Sequence, residues 1–288
     1  MQERNIHFRK KAHNVLYPVH DEKWLIPVMI LWLLFYGIPF LFTAMNSLLF
    51  YSNNDLQFGL VNYARLFQDS FFLLAVKNNI FFFLIAIGLS MFLGLITARL
   101  LFYLKGFRWI VPVLVFPLLF PSPSIAAVWS LIFSNGSQFV RMLNPPDQIW
   151  NYTSLVLLYL WKYVGAATVI YLLGFFSIDP QILHAAYLDG AKERELFRFI
   201  QLPLLKNFSR YAFYFLLIAG IKVFRESYLL YGAYPPQSLF FISHYLNLSI
   251  GRLDNGLLSA AGITFSIFIL VPVDLILFLK LSGDGESL

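Results

Sequence analysis

The stretch 184-HAAYLDGAKERELFRFIQLPLL-205 lies between two strongly apolar segments, yet it carries charges of both signs, an Asp-Gly turn and a proline. Just ahead of it, Asp179-Pro180 reads as a helix start: the aspartate caps early amide hydrogens, and proline suits the first helical position. Ile182 with Ala186, and Leu183 with Tyr187, then recur at helical spacing. Gly190 after Asp189 is a natural terminator, because glycine enters the left-handed region without a Cβ clash. A second helix would place Leu196, Phe199 and Ile200 on one face, with Lys192, Arg194 and Arg198 over much of the rest, and Pro203 ends it. Ala185, Ala186 and Ala191 are small enough for another backbone to approach the elbow closely. The expectation is a compact helical knob suited to a partner's groove. On these residues alone, a solvated loop with short helices remains the alternative.

The surroundings of the knob are apolar. Of 288 residues, 59% are hydrophobic and only 12% charged, against about 25% charged in soluble domains. Such a chain cannot cover an aqueous surface, and an all-α polytopic membrane protein is the expected class. A span needs roughly 20 mostly apolar residues. Six segments qualify, at about 24–50, 71–104, 109–134, 152–178, 208–231 and 257–280, within a single membrane domain of 24–281. A polar, basic tail (1–23) precedes it, a short tail (282–288) follows, and 179–207 is the longest connection. The basic start shows no cleavable signal pattern. In 117-PLLFPSPS-124, inside the third span, the prolines mark either a plain kink or a true break whose backbone groups are satisfied by neighbours or a cavity.

Lysine and arginine set the expected orientation. With the N-terminus inside, fourteen lie on the inner side: Arg4, Arg9, Lys10, Lys11, Lys23, Arg99, Lys105, Arg108, Lys192, Arg194, Arg198, Lys206, Arg210 and Lys280. Four lie outside: Arg65, Lys77, Arg141 and Arg252. Both termini are therefore expected in the cytoplasm. The net charge of +6 reports topology and not nucleic-acid binding, for no base-reading module is present. There is no cysteine, so disulfides and thiolate metal sites are excluded.

Enzymatic readings find little support. His184 and Asp189 have the His-x4-Asp spacing of glycerolipid acyltransferases, but five helical positions place them on different faces, and no soluble acyl-donor domain is present. Gly190-Ala191-Lys192 lacks the earlier glycine and the following hydroxyl of a nucleotide-binding phosphate loop. No catalytic or metal-binding set is expected. A secondary transporter or channel for a small polar solute would share the span count. Its coupling-ion carboxylates would have to come from Glu226 and Asp274, the two deep acids.

The knob resembles the EAA loop of binding-protein-dependent ABC transporter permeases, in the carbohydrate-uptake class related to maltose and glycerol-phosphate permeases. That pattern is roughly E-A-A-x-x-D-G-A-x-x-x-x-x-F-x-x-I-x-L-P-L. His184, Ala185, Ala186, Asp189, Gly190, Ala191, Phe197, Ile200, Leu202, Pro203 and Leu204 stand in register with it. Further likenesses are Gly59-Leu60-x-Asn62-Tyr63, Lys77-Asn78-Asn79, Trp129 in the third span, and Lys222-Val223-Phe224 with Glu226 in the fifth. The sequence departs where His184 replaces the first Glu, where Arg225 replaces an acid, and where Gly232-Ala233-Tyr234-Pro235-Pro236 replaces a glycine-rich stretch.

The resemblance implies a multi-pass subunit of a bacterial cytoplasmic (inner) membrane importer. Its partners would be a second, different permease, two ATP-binding subunits carrying ATP and Mg, and an extracytoplasmic solute-binding protein delivering a carbohydrate. This chain would bind no cofactor. The knob would seat in an ATPase cleft, with Asp189-Gly190 setting its elbow and Leu196, Phe197 and Ile200 bracing it.

Ionisable side chains inside a membrane are functional candidates because an unpaired charge there is costly. Lys222, Arg225 and Glu226 form an i, i+3, i+4 set. Either Glu226 pairs with Lys222 in a self-satisfied cluster, or the set lines the pathway and its excess positive charge favours an anionic saccharide. Lys162 beside Trp161 would line the same path or snorkel to the outer interface, and its shallow depth favours snorkelling.

Overall fold

A computed structural model describes residues 25–52, 55–133, 147–251 and 254–283. The N-terminal tail, Arg141, Arg252, the side chain of Asp274 and all but the first two residues of the C-terminal tail lie outside what is described. Helix α1 (Leu25–Leu48) leads into a short antiparallel hairpin, β1 (Leu49–Ser52) and β2 (Asp55–Phe58), which pairs Leu49 with Phe58. Within α1, Pro39 cannot donate to the carbonyl four residues back. The chain absorbs this in a π-helical turn over Leu33–Gly37, where the Ile38 amide reaches back five residues to Leu33.

Helices α2 (Val61–Gln68) and α3 (Ser70–Tyr103) follow. The expected third span comes as two helices, α4 (Phe107–Leu119) and α5 (Ser122–Phe133), bent by 96° from one another. The prolines thus make a break, not a plain kink. Phe120 precedes Pro121 and is extended (φ −74°, ψ 135°), the conformation that a following proline ring imposes.

Helix α6 (Asp147–Phe176) is unbroken over 30 residues. The expected fifth span is also interrupted: α9 (Lys206–Lys222) and α10 (Phe224–Tyr231) meet at Val223, whose amide bonds only three residues back, to Gly220, at 3.2 Å. Between α6 and α9 stand the knob helices α7 (Pro180–Leu188) and α8 (193–204). Helices α11 (Ile242–Gly251) and α12 (Asn255–Gly283) complete the described chain. By length and composition, α1, α3 and α6 each suffice to cross a membrane, and the bent pair α4–α5 makes a fourth, among the described residues.

The core centres on α3, α6 and α9, with Phe82, Ala86, Leu155, Tyr159, Ala167 and Leu216 almost wholly buried. Tyr159 donates its hydroxyl to the Leu216 carbonyl at 2.5 Å, tying α6 to α9. At Gly165 a side chain is impossible without movement, because an added Cβ would collide with the Leu114 carbonyl of α4. Asparagines tie down the segments around α2 and α11. Asn62 donates to the Ser47 and Leu49 carbonyls (3.0 and 2.7 Å), fixing α2 under the hairpin. Asn78 donates to the Gln237 and Phe240 carbonyls (2.6 and 3.0 Å), and Asn79 accepts from the Ile242 amide at 2.8 Å, holding α11 against α3.

Candidate functional site

Two places gather the residues singled out in the sequence. The first is the knob. Asp179 caps α7 by accepting from the Gln181 amide at 2.9 Å, with Pro180 at the first helical position. At the other end Gly190 is left-handed (φ +82°), its amide bonding Tyr187, while the Ala191 amide bonds Ala186 at 3.0 Å. That pair of bonds closes α7 in the Schellman arrangement. Helix α8 opens with the Glu195 carboxylate accepting the Lys192 amide at 2.9 Å.

Over Leu196–Gln201 helix α8 is π-helical, which brings Leu196 and Gln201 onto one buried face. Phe199, expected on the inner face at α-helical spacing, is instead 68% exposed, since the wider turn rotates it outward. Gln201 donates to the Tyr103 hydroxyl at 3.1 Å, and the Arg99 guanidinium lies 4.1 Å from the centre of the Phe197 ring. Leu183, Phe197 and Leu205 pack among Ala98, Leu101 and Phe175. The knob is thereby fastened to the ends of α3 and α6. His184, Ala185, Leu188, Asp189, Gly190 and Pro203 face outward, Ala191 and Ile200 are half-buried, and Ala186 is buried. The fastening residues Tyr103, Arg99 and Gln201 are not legible as a set, because their partners lie about a hundred residues apart.

The second place is a junction of broken helices. Glu226, in the first turn of α10, is buried, and its Oε1 accepts from Lys162 Nζ of α6 at 2.5 Å and from Ser122 Oγ of α5 at 2.8 Å. This corrects two expectations. The partner of Glu226 is Lys162 and not Lys222, and Lys162 is buried instead of snorkelling. The i, i+4 spacing of 222 and 226 assumes a continuous helix, but the chain breaks between them. Lys222 and Arg225 are exposed, and neither has a hydrogen-bond or ion-pair partner among the described residues. No group of His, Asp and Glu suited to a metal occurs among the described residues.

Next to this junction, Trp129 of α5 is stacked on Phe133 (4.4 Å between ring centres) and lies 5.9 Å from Trp161. Trp129, Ser130, Phe133, Asn151, Ser154 and Tyr231 wall a cavity of about 300 Å³. Outside the spans, His244 of α11 accepts the Phe241 amide on Nδ1 at 3.3 Å, and burial pushes its pKa down to about 4.

No protein-family model matches the chain. It is 27% identical over 241 residues to the probable ABC transporter permease protein YurN of Bacillus subtilis, covering 77% of this chain and 82% of that protein. It is 28% identical over 280 residues to the trehalose/maltose transport system permease protein MalF of Thermococcus litoralis, covering 89% and 91%. Among solved structures, a bacterial ABC transporter involved in the import of the acidic polysaccharide alginate superposes with a TM-score of 0.74 at 22% identity, over 99% of this chain and 100% of that one. The bacterial alginate ABC transporter in complex with alginate pentasaccharide-bound periplasmic protein gives 0.72 at 20% identity, over 91% and 92%. The chain is thus a homologue of ABC transporter permeases and carries their helical fold. It is a multi-pass protein of the cytoplasmic (inner) membrane, and a transport subunit, not an enzyme.

Proposed function

We propose that this chain is the permease subunit of an ATP-binding-cassette importer for a sugar, an oligosaccharide carrying negative charge. It crosses the membrane six times with both termini in the cytoplasm. It pairs with a second, different permease and with two ATP-binding subunits that hold ATP and Mg, and it receives its solute from an extracytoplasmic binding protein. The roles of the similar permeases and the EAA-like sequence of the knob support this reading. The observation that carries it is the knob itself: a capped helix pair whose far side is exposed and whose near side is fastened to α3 and α6.

The ATP-binding subunits grip the exposed face around His184, Ala185, Asp189 and Gly190. Their closure moves the knob as a rigid piece, and Phe197, Gln201 and Leu205 pass the motion to the membrane helices. A discrete element biased at both ends is what such coupling requires. Negative charge on the solute follows from Lys222 and Arg225. With Glu226 bound to Lys162, two exposed cations remain beside the break in the fifth span.

The test is ATP hydrolysis and uptake by the reconstituted complex with neutral and uronate oligosaccharides of equal length. Gly190→Pro, which cannot adopt φ +82°, is expected to abolish ligand-stimulated hydrolysis with assembly intact. Lys222→Gln with Arg225→Gln is expected to slow uronate uptake selectively. Equal stimulation in the Gly190 variant removes the coupling role, and unchanged relative uptake removes the anionic solute.

A further inference from the structure

Ser122, Lys162 and Glu226 come from three helices, and two of those helices begin at the contact. Ser122 is the first residue of α5, directly past the 96° break, and Glu226 follows the break at Val223. Lys162 stands on α6, which runs through without interruption. Beyond the two breaks α5 and α10 lie against each other, and Ile125 and Trp129 pack with Leu230 and with Leu158 of α6. The two short helices therefore form one body, and the Glu226 carboxylate ties that body to α6 at its hinge end.

The junction is not fully satisfied. Glu226 Oε2 and Ser227 Oγ are both buried without a hydrogen-bond partner. A buried ion pair contributes little stability compared with apolar packing, and one with spare polar atoms contributes less still. Its cost falls when water enters. A dry, closed pair and a wetted, open pair are then both tolerable, which is what an element with two states needs.

We propose that Ser122, Lys162 and Glu226 form a latch. It holds the hinge end of the α5–α10 body against α6 in the arrangement seen here, and its release lets that end move at Phe120–Pro121 and at Val223 during transport. The far end stays tied to α6 through Ser154 with Tyr231 and through Trp150 donating to the Phe133 carbonyl. The three are positioning residues and not solute ligands. The role in transport rests on the importer reading, so the test includes a measurement that needs no ATPase.

The natural chain has no cysteine, and Ser227→Cys places a single thiol at a wholly buried position beside the latch. Its reaction with a small methanethiosulfonate is followed in proteoliposomes in three backgrounds: otherwise unchanged, Lys162→Ala with Glu226→Ala, which removes the tie without replacing it by apolar packing, and the swap Lys162→Glu with Glu226→Lys. The thiol is expected to be protected in the first. It should react about tenfold faster in the second, as when a minor open state becomes populated, and be protected again in the swap. In the assembled complex the double alanine variant should also hydrolyse ATP several-fold faster without binding protein. Labelling that is equal in all three backgrounds, or that the swap fails to slow, overturns the latch. If no variant complex hydrolyses ATP, the importer reading falls while the labelling still decides the latch.

Discussion

Helix α6 and the pair α4–α5 are both apolar and of similar length, yet one is straight over 30 residues and the other turns through 96°. Proline explains where the second breaks. Packing explains why the first does not, since α6 is gripped by α3, α4 and α9 along its length. The difference separates a fixed post from a movable arm, and it places the one buried cation among the described residues, Lys162, on the post, with its carboxylate on α10, which packs against the arm.

The sharpest way to break this contrast is Lys162→Met alone. It strands a buried carboxylate, which costs about 3–5 kcal/mol, and thermal unfolding in detergent should show the largest loss of any single change proposed here. The double variant with Glu226→Met should recover most of it. A single variant that melts with the wild type would mean that the pair is already wet.

Next is Gly165→Ala, which pushes α6 off the Leu114 carbonyl. Overpacking of this kind costs roughly 1–3 kcal/mol, and the loss should appear in the same melting curves. Unchanged melting would show that α4 yields freely and that the post is less constrained than its contacts suggest. Smaller again is Asp179→Ala, which removes the cap of α7 at about 1 kcal/mol. Limited proteolysis between α6 and α7 should report it, with the membrane helices unaffected.

The last effect is one of pH, small near neutrality and growing only in acid. His244 has a pKa near 4 in the fold, against an ordinary value of 6.5. The folded chain therefore binds fewer protons than the unfolded chain between those values, and stability is complete above about pH 6.5 and declines as pH falls toward 4. His244→Gln should flatten that decline. A variant that keeps the full slope would assign it to other groups.

The local features were legible in sequence. Asp179-Pro180 and Gly190 announce both ends of α7, because capping depends on neighbours in the chain. The π-helical register of α8 was not, and so Phe199 was assigned to the wrong face. Glu226 was assigned to a cation four residues away when its partner lies 64 residues away, since spacing rules presume an unbroken helix. Asn62, Asn78 and Asn79 were visible only as resemblance. Their physical use, as donors and acceptors to distant backbone, depends on loops that hydropathy cannot place.

The first turns of α1, Leu25–Trp32, have no buried residue, and the lower part of the helix docks on α12. Those two helices are the first and last of the described chain. At about 5–20 residues per second during synthesis, roughly 10–40 s pass between the emergence of one and the other. Through that interval α1 has only the hairpin and α2 at its lower end, so the apolar surface of its first turns is needed in lipid before the subunit exists as a folded body. A nascent chain cut short before α12 would leave α1 inserted but unclaimed, a mark by which quality control can recognise an unfinished subunit.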